Sequence, residues 1–228
     1  MLQSLNVPLM DEAAEPFGGW DGLADELRRR GLDGVEGIWS GADIPPDFPK
    51  KILTGYHLTF FPDWLDMYTR NEPALKRKFG SVAAAEVFYG GLGPEHMLDI
   101  YRSDLDRAIA LGAKYVVFHV SDVSLEEGYT YRWLHSDEQV IDLSAECVNT
   151  LLDGAGAKMD FLLENQWWPG FTFTSPRLTR RMLDAVEYRG KGIMLDTGHL
   201  MNTNTSLRTE QEGAEYVLRM LDEHGTLC

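Results

Sequence analysis

The sequence is poor in cysteine, with only Cys147 and Cys228 among its 228 residues. Two cysteines cannot build the disulfide framework of a small secreted protein, and their wide separation does not fit a zinc knuckle. We therefore expect a protein of the reducing cytoplasm that has no structural zinc site.

Long hydrophobic runs are also missing. No apolar run approaches the roughly 18 residues that a membrane-spanning helix needs. The first residues, MLQSLNVPLMDEAAE, lack the basic region and apolar stretch of a signal peptide. The sequence therefore predicts neither a signal peptide nor a membrane partner.

Positive charge is scarce, because 21 Lys and Arg stand against 36 Asp and Glu, a net charge of −15 at pH 7. Such a surface repels phosphate backbones, so we expect no nucleic-acid partner. Hydrophobic residues make up 44% of the chain and charged residues 25%, the balance of an ordinary globular protein. A chain of this size can enclose one core, and no linker divides it. We predict a single domain over residues 1–228.

Short apolar runs alternate with longer segments of helical spacing, as in βα units. The predicted strands are Leu2–Val7, Gly34–Trp39, Leu53–Phe61, Lys114–Val120, Met159–Glu164 and Gly192–Leu195. Apolar stripes that begin at Trp20, Met97, Leu143, Met182 and Ala214 predict helices ending near Gly31, Gly112, Gly154 or Gly156, Gly190 and Gly225. The pattern indicates an α/β fold with a buried parallel sheet and a β-α-β-α order throughout.

Residues able to bind metal or move protons follow four of the six strands, namely His57, His119, Glu164, and the pair Asp196 and His199. The carboxyl ends of the strands in a parallel barrel meet at one mouth, so we expect a shared site there. Burying Glu164 after the apolar run FLL costs several kcal/mol unless a cation or a donor compensates it. Carboxylate and imidazole ligands together favour Mn²⁺ or Zn²⁺, with Co²⁺, Fe²⁺ or Mg²⁺ as alternatives, over Ca²⁺.

Several candidate site residues also have a purely structural interpretation. His57 or His119 alone could be a hydrogen-bonded structural histidine. Trp167 and Trp168 could stack on a sugar ring or simply cap the barrel, and Glu36, after the second strand, could be a partner of the site or an ordinary strand-end carboxylate. We count Trp168 and Glu36, with His199, as candidate substrate-binding residues.

Other motifs are not informative. The basic run Lys76–Lys78 and the pair Asp104 and Asp106 are predicted to lie on solvated helix faces, although the basic run could instead hold an anionic substrate group. The sequence contains neither a G-x-S-x-G nucleophile elbow nor a G-x-x-x-x-G-K-[ST] phosphate loop. The segment GGLGPEH lacks the third glycine of a dinucleotide fingerprint.

The strand end at Glu164, followed by Asp196 within D-T-G-H, resembles the xylose-isomerase-like barrel superfamily, and GLDGVEGIW resembles its second strand. The resemblance implies a (β/α)8 TIM-type barrel. It implies metal ligands at Glu164 and Asp196, proton transfer by Glu164 as in epimerases, and substrate contact at His199. At His57 and His119 it implies pocket residues, or zinc ligands as in the endonuclease IV branch.

Members of that superfamily have eight strands, and this chain accounts for about six of the eight βα units. We therefore expect a chain truncated before strands seven and eight. The alternatives are that another chain supplies the missing strands or that the site works without them. The resemblance implies a divalent-metal-dependent isomerase or epimerase of a small sugar or sugar phosphate, with His199 and Glu164 catalytic and proton transfer through an enediolate. An inactive or purely binding barrel and a repair-type phosphodiesterase stay open as alternatives, as does homo-oligomer formation.

Overall fold

The computed structural model describes residues 2–153 and 159–227. In this part of the chain six strands form one parallel sheet whose spatial order is the sequence order. The strands are β1 (Ser4–Pro8), β2 (Gly34–Ile38), β3 (Leu53–His57), β4 (Tyr115–His119), β5 (Asp160–Glu164) and β6 (Lys191–Met194). The predicted parallel α/β architecture is confirmed.

The same described residues form eleven α-helices and three 3₁₀ turns. The helices are α1 (Asp11–Ala14), α2 (Trp20–Arg30), α3 (Leu65–Tyr68), α4 (Glu72–Phe79), α5 (Val82–Tyr89), α6 (Pro94–Leu111), α7 (Leu125–Thr130), α8 (Asp137–Leu152), α9 (Pro176–Ala185), α10 (Thr197–Asn202) and α11 (Glu210–His224). The 3₁₀ turns are Glu15–Phe17, Lys50–Ile52 and Gly225–Leu227. The helix end predicted at Gly154 or Gly156 lies outside the described residues. None of the described helices is long and apolar enough to cross a membrane.

The core lies on both faces of the sheet. Val116, Val117 and Phe118 of β4 are all buried, although successive side chains of a strand point to opposite faces. One face is covered by helices, among them α6, which buries Met97 and Tyr101. The strand has no solvated side, as expected for a parallel sheet.

The prediction of a helix between every pair of strands is wrong for the connection from β2 to β3. Residues 39–52 contain only the 3₁₀ turn Lys50–Ile52. Pro45, Pro46 and Pro49 lie in this segment, and each removes a backbone N–H and disfavours helix at the preceding residue. The chain therefore crosses to β3 without an α-helix.

The third strand also ends earlier than predicted, at His57 rather than Phe61. The backbone N–H of Thr59 donates to the Asp104 carboxylate at 2.7 Å, and the chain leaves the sheet there. Asp104 is itself buried and accepts a hydrogen bond from Arg107 at 2.6 Å. The prediction that Asp104 lies on a solvated helix face is therefore wrong, whereas Asp106 is exposed.

The two long connections after β3 and β4 fold into α3–α5 and α7, and a buried charged cluster joins them. Lys78 contacts Asp63 at 2.5 Å and Asp66 at 2.8 Å, so its predicted place on a solvated face is also wrong. Asp122 Oδ1 accepts the backbone N–H groups of Trp64 and Leu65, at 2.7 and 2.9 Å. These contacts fix the segment after β3 against the segment after β4.

Asp122 makes stability depend on pH. Burial raises the pKa of Asp122 to about 6, against the opposing effect of the two backbone N–H groups, while an unfolded aspartate titrates near 3.9. The folded state therefore gains stability from the protonated form, and this gain is lost as pH rises through 6. We expect Asp122 to make the wild-type protein about 1 kcal/mol more stable to urea at pH 5 than at pH 7.5.

Asp122→Asn keeps the Oδ1 acceptor and removes the titration, so its urea midpoint should change less over the same pH interval. Asp43→Asn, on the exposed surface, should keep the wild-type profile. Equal pH profiles for wild type and Asp122→Asn would contradict this account.

Candidate functional site

The predicted site residues come together at the carboxyl end of the sheet. His57, His119 and Glu164 are the last residues of β3, β4 and β5. Asp196 follows β6 as the N-cap of α10, and His199 lies in the first turn of that helix. His119 and Glu164 are direct partners in the β4–β5 register, so their side chains lie on the same face.

Glu164 is the central carboxylate of the cluster and is only 4% exposed. One of its oxygens, Oε2, lies 3.1 Å from His119 Nε2, and the other, Oε1, lies 3.4 Å from His199 Nδ1. Burial alone would raise the pKa of Glu164, but the neighbouring imidazoles of His119 and His199 lower it to about 2. Glu164 is therefore ionised at neutral pH.

His199 is held by the cap of α10. The Asp196 carboxylate accepts the backbone N–H of His199 at 2.7 Å, and Asp196 Oδ2 lies 3.7 Å from the imidazole Nδ1. The same nitrogen lies 2.9 Å from the carbonyl oxygen of Asn165, to which it donates when it carries the proton. Burial lowers the pKa of His199, but its contacts with Glu164 and Asn165 outweigh this effect and raise the pKa above its ordinary value. The ring is thus fixed and its protonated form favoured.

Asn165 is a site residue that the sequence analysis missed. It is fully buried, and its amide pairs with the backbone of Asp196 through both of its groups. The nitrogen Nδ2 donates to Asp196 O at 3.0 Å, and Oδ1 accepts Asp196 N–H at 2.8 Å. This pair fixes the distance between the end of β5 and the start of α10. The signal in the sequence was an amide that directly follows a buried strand.

Glu36 contacts His57 instead of pointing into an open cavity. It is buried in β2, and its Oε1 lies 2.5 Å from His57 Nε2. Its other oxygen, Oε2, accepts the hydroxyl of Tyr115 at 2.6 Å. The Tyr115 ring crosses β3 at Gly55, where a Cβ would lie 2.2 Å from ring carbons. Gly55 is thus required for the contact that orients Glu36 and, through it, His57.

Aromatic rings border the cluster. The His57 and His119 rings stack at 5.3 Å, and Phe60 lies 4.6 Å from the His119 ring. Trp168 is parallel to Phe60 at 6.4 Å, and Trp167 lies 4.0 Å from Trp168. Trp167 also contacts the His199 ring at 5.0 Å. Both predicted tryptophans therefore line this mouth, together with Phe60, which the sequence analysis did not single out.

The donor atoms suit a divalent cation. Among the residues that the structure describes, two groups of three have ligand atoms within 4.8 Å of one another, His57, His119 and Glu164 in one and Glu164, Asp196 and His199 in the other. Glu164 Oε2 is buried and, although His119 Nε2 lies 3.1 Å away, makes no hydrogen bond of good geometry to any described residue. Buried polar atoms ordinarily make hydrogen bonds, so this carboxylate oxygen suits a cation ligand. The mixed carboxylate and imidazole set fits Mn²⁺ or Zn²⁺.

Comparison with known proteins gives one family. A family model described as xylose isomerase-like TIM barrel matches residues 24–224. No curated protein matches the chain in sequence.

Several solved structures resemble this one. A D-tagatose 3-epimerase-like protein aligns with a TM-score of 0.52 and 13% identity, over 96% of this chain and 72% of its own. A sugar phosphate isomerase/epimerase from Parabacteroides distasonis aligns with a TM-score of 0.52 and 10% identity, over 99% of this chain and 84% of its own. D-allulose 3-epimerase from Methylomonas sp. aligns with a TM-score of 0.52 and 16% identity, over 97% of this chain and 70% of its own. At these identities the likeness shows the fold, and the predicted TIM-type barrel is confirmed.

Gly55→Ala tests the packing that supports Glu36. The added Cβ overlaps the Tyr115 ring, so Tyr115 must move away from Glu36. Overpacking of this kind costs about 1–3 kcal/mol, and we expect a loss of about 2 kcal/mol in urea unfolding. Gly128→Ala is the matched control, because its Cβ would meet nothing within 4 Å. Gly128 lies in α7, so the control should change stability by less than about 1 kcal/mol. Equal effects of the two substitutions would contradict the packing argument.

Proposed function

Because the chain belongs to the xylose isomerase-like TIM barrel family, we propose that it is a divalent-metal-dependent isomerase or epimerase of a small sugar or related polyhydroxy carbonyl compound. The observation that carries the proposal is the group of Glu164, Asp196 and His199 at the carboxyl end of the strands, with ligand atoms within 4.8 Å of one another. In TIM-type barrels, active sites lie at this end.

The ion would be held by Glu164 and Asp196. A bound divalent ion supplies Lewis acidity to a carbonyl and its neighbouring hydroxyl, which makes the adjacent C–H more acidic. Glu164 suits the ligand role, because a carboxylate with a pKa of about 2 binds a cation without first losing a proton. Asn165 holds the backbone of Asp196 in place and so sets the separation of the two carboxylates.

Glu164 and His199 are the proposed catalytic residues. Glu164 would accept a proton from the substrate carbon next to the carbonyl, which leaves an enediolate, and return it to the neighbouring carbon, which isomerises the substrate. Inversion of the first carbon would need a proton from a second donor on the opposite face of the enediolate. His199 hydrogen-bonds the substrate oxygen on which negative charge develops, and its raised pKa favours the donating, protonated form. The contacts with Asp196 and Asn165 hold the ring for this purpose.

Trp168 and Glu36 complete the proposed substrate site in different ways. Trp168 is half-buried beside Trp167 and offers a ring face for the apolar side of a sugar. His57 and Tyr115 each contact one carboxylate oxygen of Glu36. We therefore propose that Glu36 affects substrate binding indirectly, by orienting His57. His57 and His119 would supply the further ligands if an ion bound in the second cation group.

Glu164→Gln tests the central assignment. The amide cannot serve as an anionic ligand, so calorimetric titration with MnCl₂ should show a dissociation constant at least about 100-fold weaker than wild type. Exchange of substrate C–H for deuterium in D₂O, followed by proton NMR on a panel of ketohexoses, should fall below detection. Asp196→Asn should likewise weaken Mn²⁺ binding.

Glu126→Gln is the matched control, because Glu126 is exposed in the first turn of α7. It should bind Mn²⁺ and exchange deuterium as wild type does. Wild-type protein without a stoichiometric ion would instead favour a barrel without chemistry, and full exchange by Glu164→Gln would remove Glu164 from the reaction.

A second candidate function, a repair-type phosphodiesterase, is favoured by the second cation group of His57, His119 and Glu164. The net charge of −15 disfavours binding to duplex DNA, whose phosphates are also negatively charged. Lys78, in the basic run Lys76–Lys78, is held by Asp63 and Asp66. We expect the Mn²⁺- or Zn²⁺-loaded protein to leave an abasic-site duplex intact at physiological salt, as judged by gel electrophoresis. Nicking that disappears in His119→Ala would reverse the order of the two candidates.

A further inference from the structure

An open groove of about 610 Å³ adjoins the candidate site. Its walls include Tyr131, Trp167 and the segment that follows α10. Trp167 belongs to both places, because its ring also lies 5.0 Å from the ring of His199. The volume is within the range of about 300–1,000 Å³ typical of small-molecule sites. The groove therefore continues the candidate site beyond Trp167.

The lining combines ring faces with amides. Tyr131 is exposed, has a backbone φ of 54°, and ends α7. A positive φ is uncommon for a residue other than glycine, and Tyr131 adopts it at the turn that places it in the wall of the groove. Asn202 and Asn204 also line the groove, and the Asn202 side chain makes no hydrogen bond to any described residue. Ring faces together with the free amide of Asn202 suit a ligand that has apolar C–H faces and many hydroxyls.

The segment that forms this wall is held in shape by its own hydrogen bonds. Asn204 Oδ1 accepts from Ser206 N–H and Oγ–H at 3.1 and 2.6 Å. The hydroxyls of Thr203 and Tyr216 lie 2.7 Å apart. The groove is thus built before any ligand arrives, which lowers the entropic cost of binding.

The charges of the groove do not favour an anion. Arg208 is the only cation among the described residues that line it, and Glu210 lies in the same groove. Arg208 Nη1 donates to the carbonyl oxygens of Thr205 and Leu207 within the segment itself, at 2.8 and 2.9 Å, so part of the guanidinium is already used. A phosphate group would meet one partly engaged cation and be repelled by the Glu210 carboxylate, whereas a neutral polyol meets no repulsion.

We infer that the groove binds a second, neutral sugar ring attached to the reacting unit, so that the substrate is a disaccharide or other glycoside and not a sugar phosphate. The inference rests on the proposed function, because it names what the substrate carries beyond its reacting carbons. The reacting unit lies at Glu164 and His199, and the attached ring passes Trp167 to stack on Tyr131.

Three probes that share a fructose unit test this inference by calorimetry on the full chain with MnCl₂ present. They are D-fructose, D-fructose 6-phosphate, and isomaltulose, which carries glucose on the oxygen that bears the phosphate in the second probe. We expect isomaltulose to bind roughly fivefold more tightly than D-fructose, the gain of about one aromatic stacking contact. D-fructose 6-phosphate should bind no more tightly than D-fructose.

Tyr131→Ala should remove the preference for isomaltulose and leave the affinity for D-fructose unchanged. Tyr129→Ala is the matched control, because Tyr129 is an exposed aromatic of the same helix that does not line the groove. Equal binding of D-fructose and isomaltulose, tighter binding of the phosphate, a preference that survives in Tyr131→Ala, or no binding of any probe would each overturn the inference. Mn²⁺ binding that depends on Glu164 would still support the proposed function in those cases, so the two failures are distinguishable.

Discussion

The arrangement of the site depends on one ionised carboxylate, Glu164, buried at the end of a central parallel strand. A buried charge is costly unless opposite charges or hydrogen bonds compensate it. His119 approaches from the paired residue of β4, and His199 approaches from the helix that follows β6. Even so, Glu164 Oε2 makes no hydrogen bond of good geometry to any described residue, although His119 Nε2 lies 3.1 Å away. The protein's own groups compensate the charge only in part, and this is the physical reason why a cation fits the site.

Side-chain contacts between neighbouring strands hold this arrangement in place. Asn165 joins the end of β5 to the start of α10 by pairing with the backbone of Asp196. Gly55 leaves room for Tyr115 to pass over β3 and reach Glu36, which in turn contacts His57. Each contact involves residues far apart in sequence. The parallel sheet makes them neighbours, because consecutive strands present their carboxyl ends at the same edge.

The sequence was informative wherever a polar residue interrupted or ended an apolar run. His119 and Glu164 stand out after buried strands, and parallel pairing then dictates that such residues meet. Asp104 could not be found this way. It lies among charged helix residues, yet its partners, Tyr56 and the backbone of Thr59, come from the end of β3. A pattern within one helix does not contain that information. Gly55 did carry a signal, since a glycine inside a strand often marks a close approach by another group.

Trp167 links the two parts of the proposed binding surface. Its ring contacts His199 at 5.0 Å, next to the buried carboxylate, and it also lines the groove toward Tyr131. A ligand that stacks on Trp167 would exclude water from one side of the Glu164 cluster, and electrostatic interactions strengthen when water is excluded. The attached ring in the groove would thereby contribute to catalysis as well as to affinity. Binding energy from a non-reacting part of a substrate can raise the reaction rate, because it orients and desolvates the reacting part.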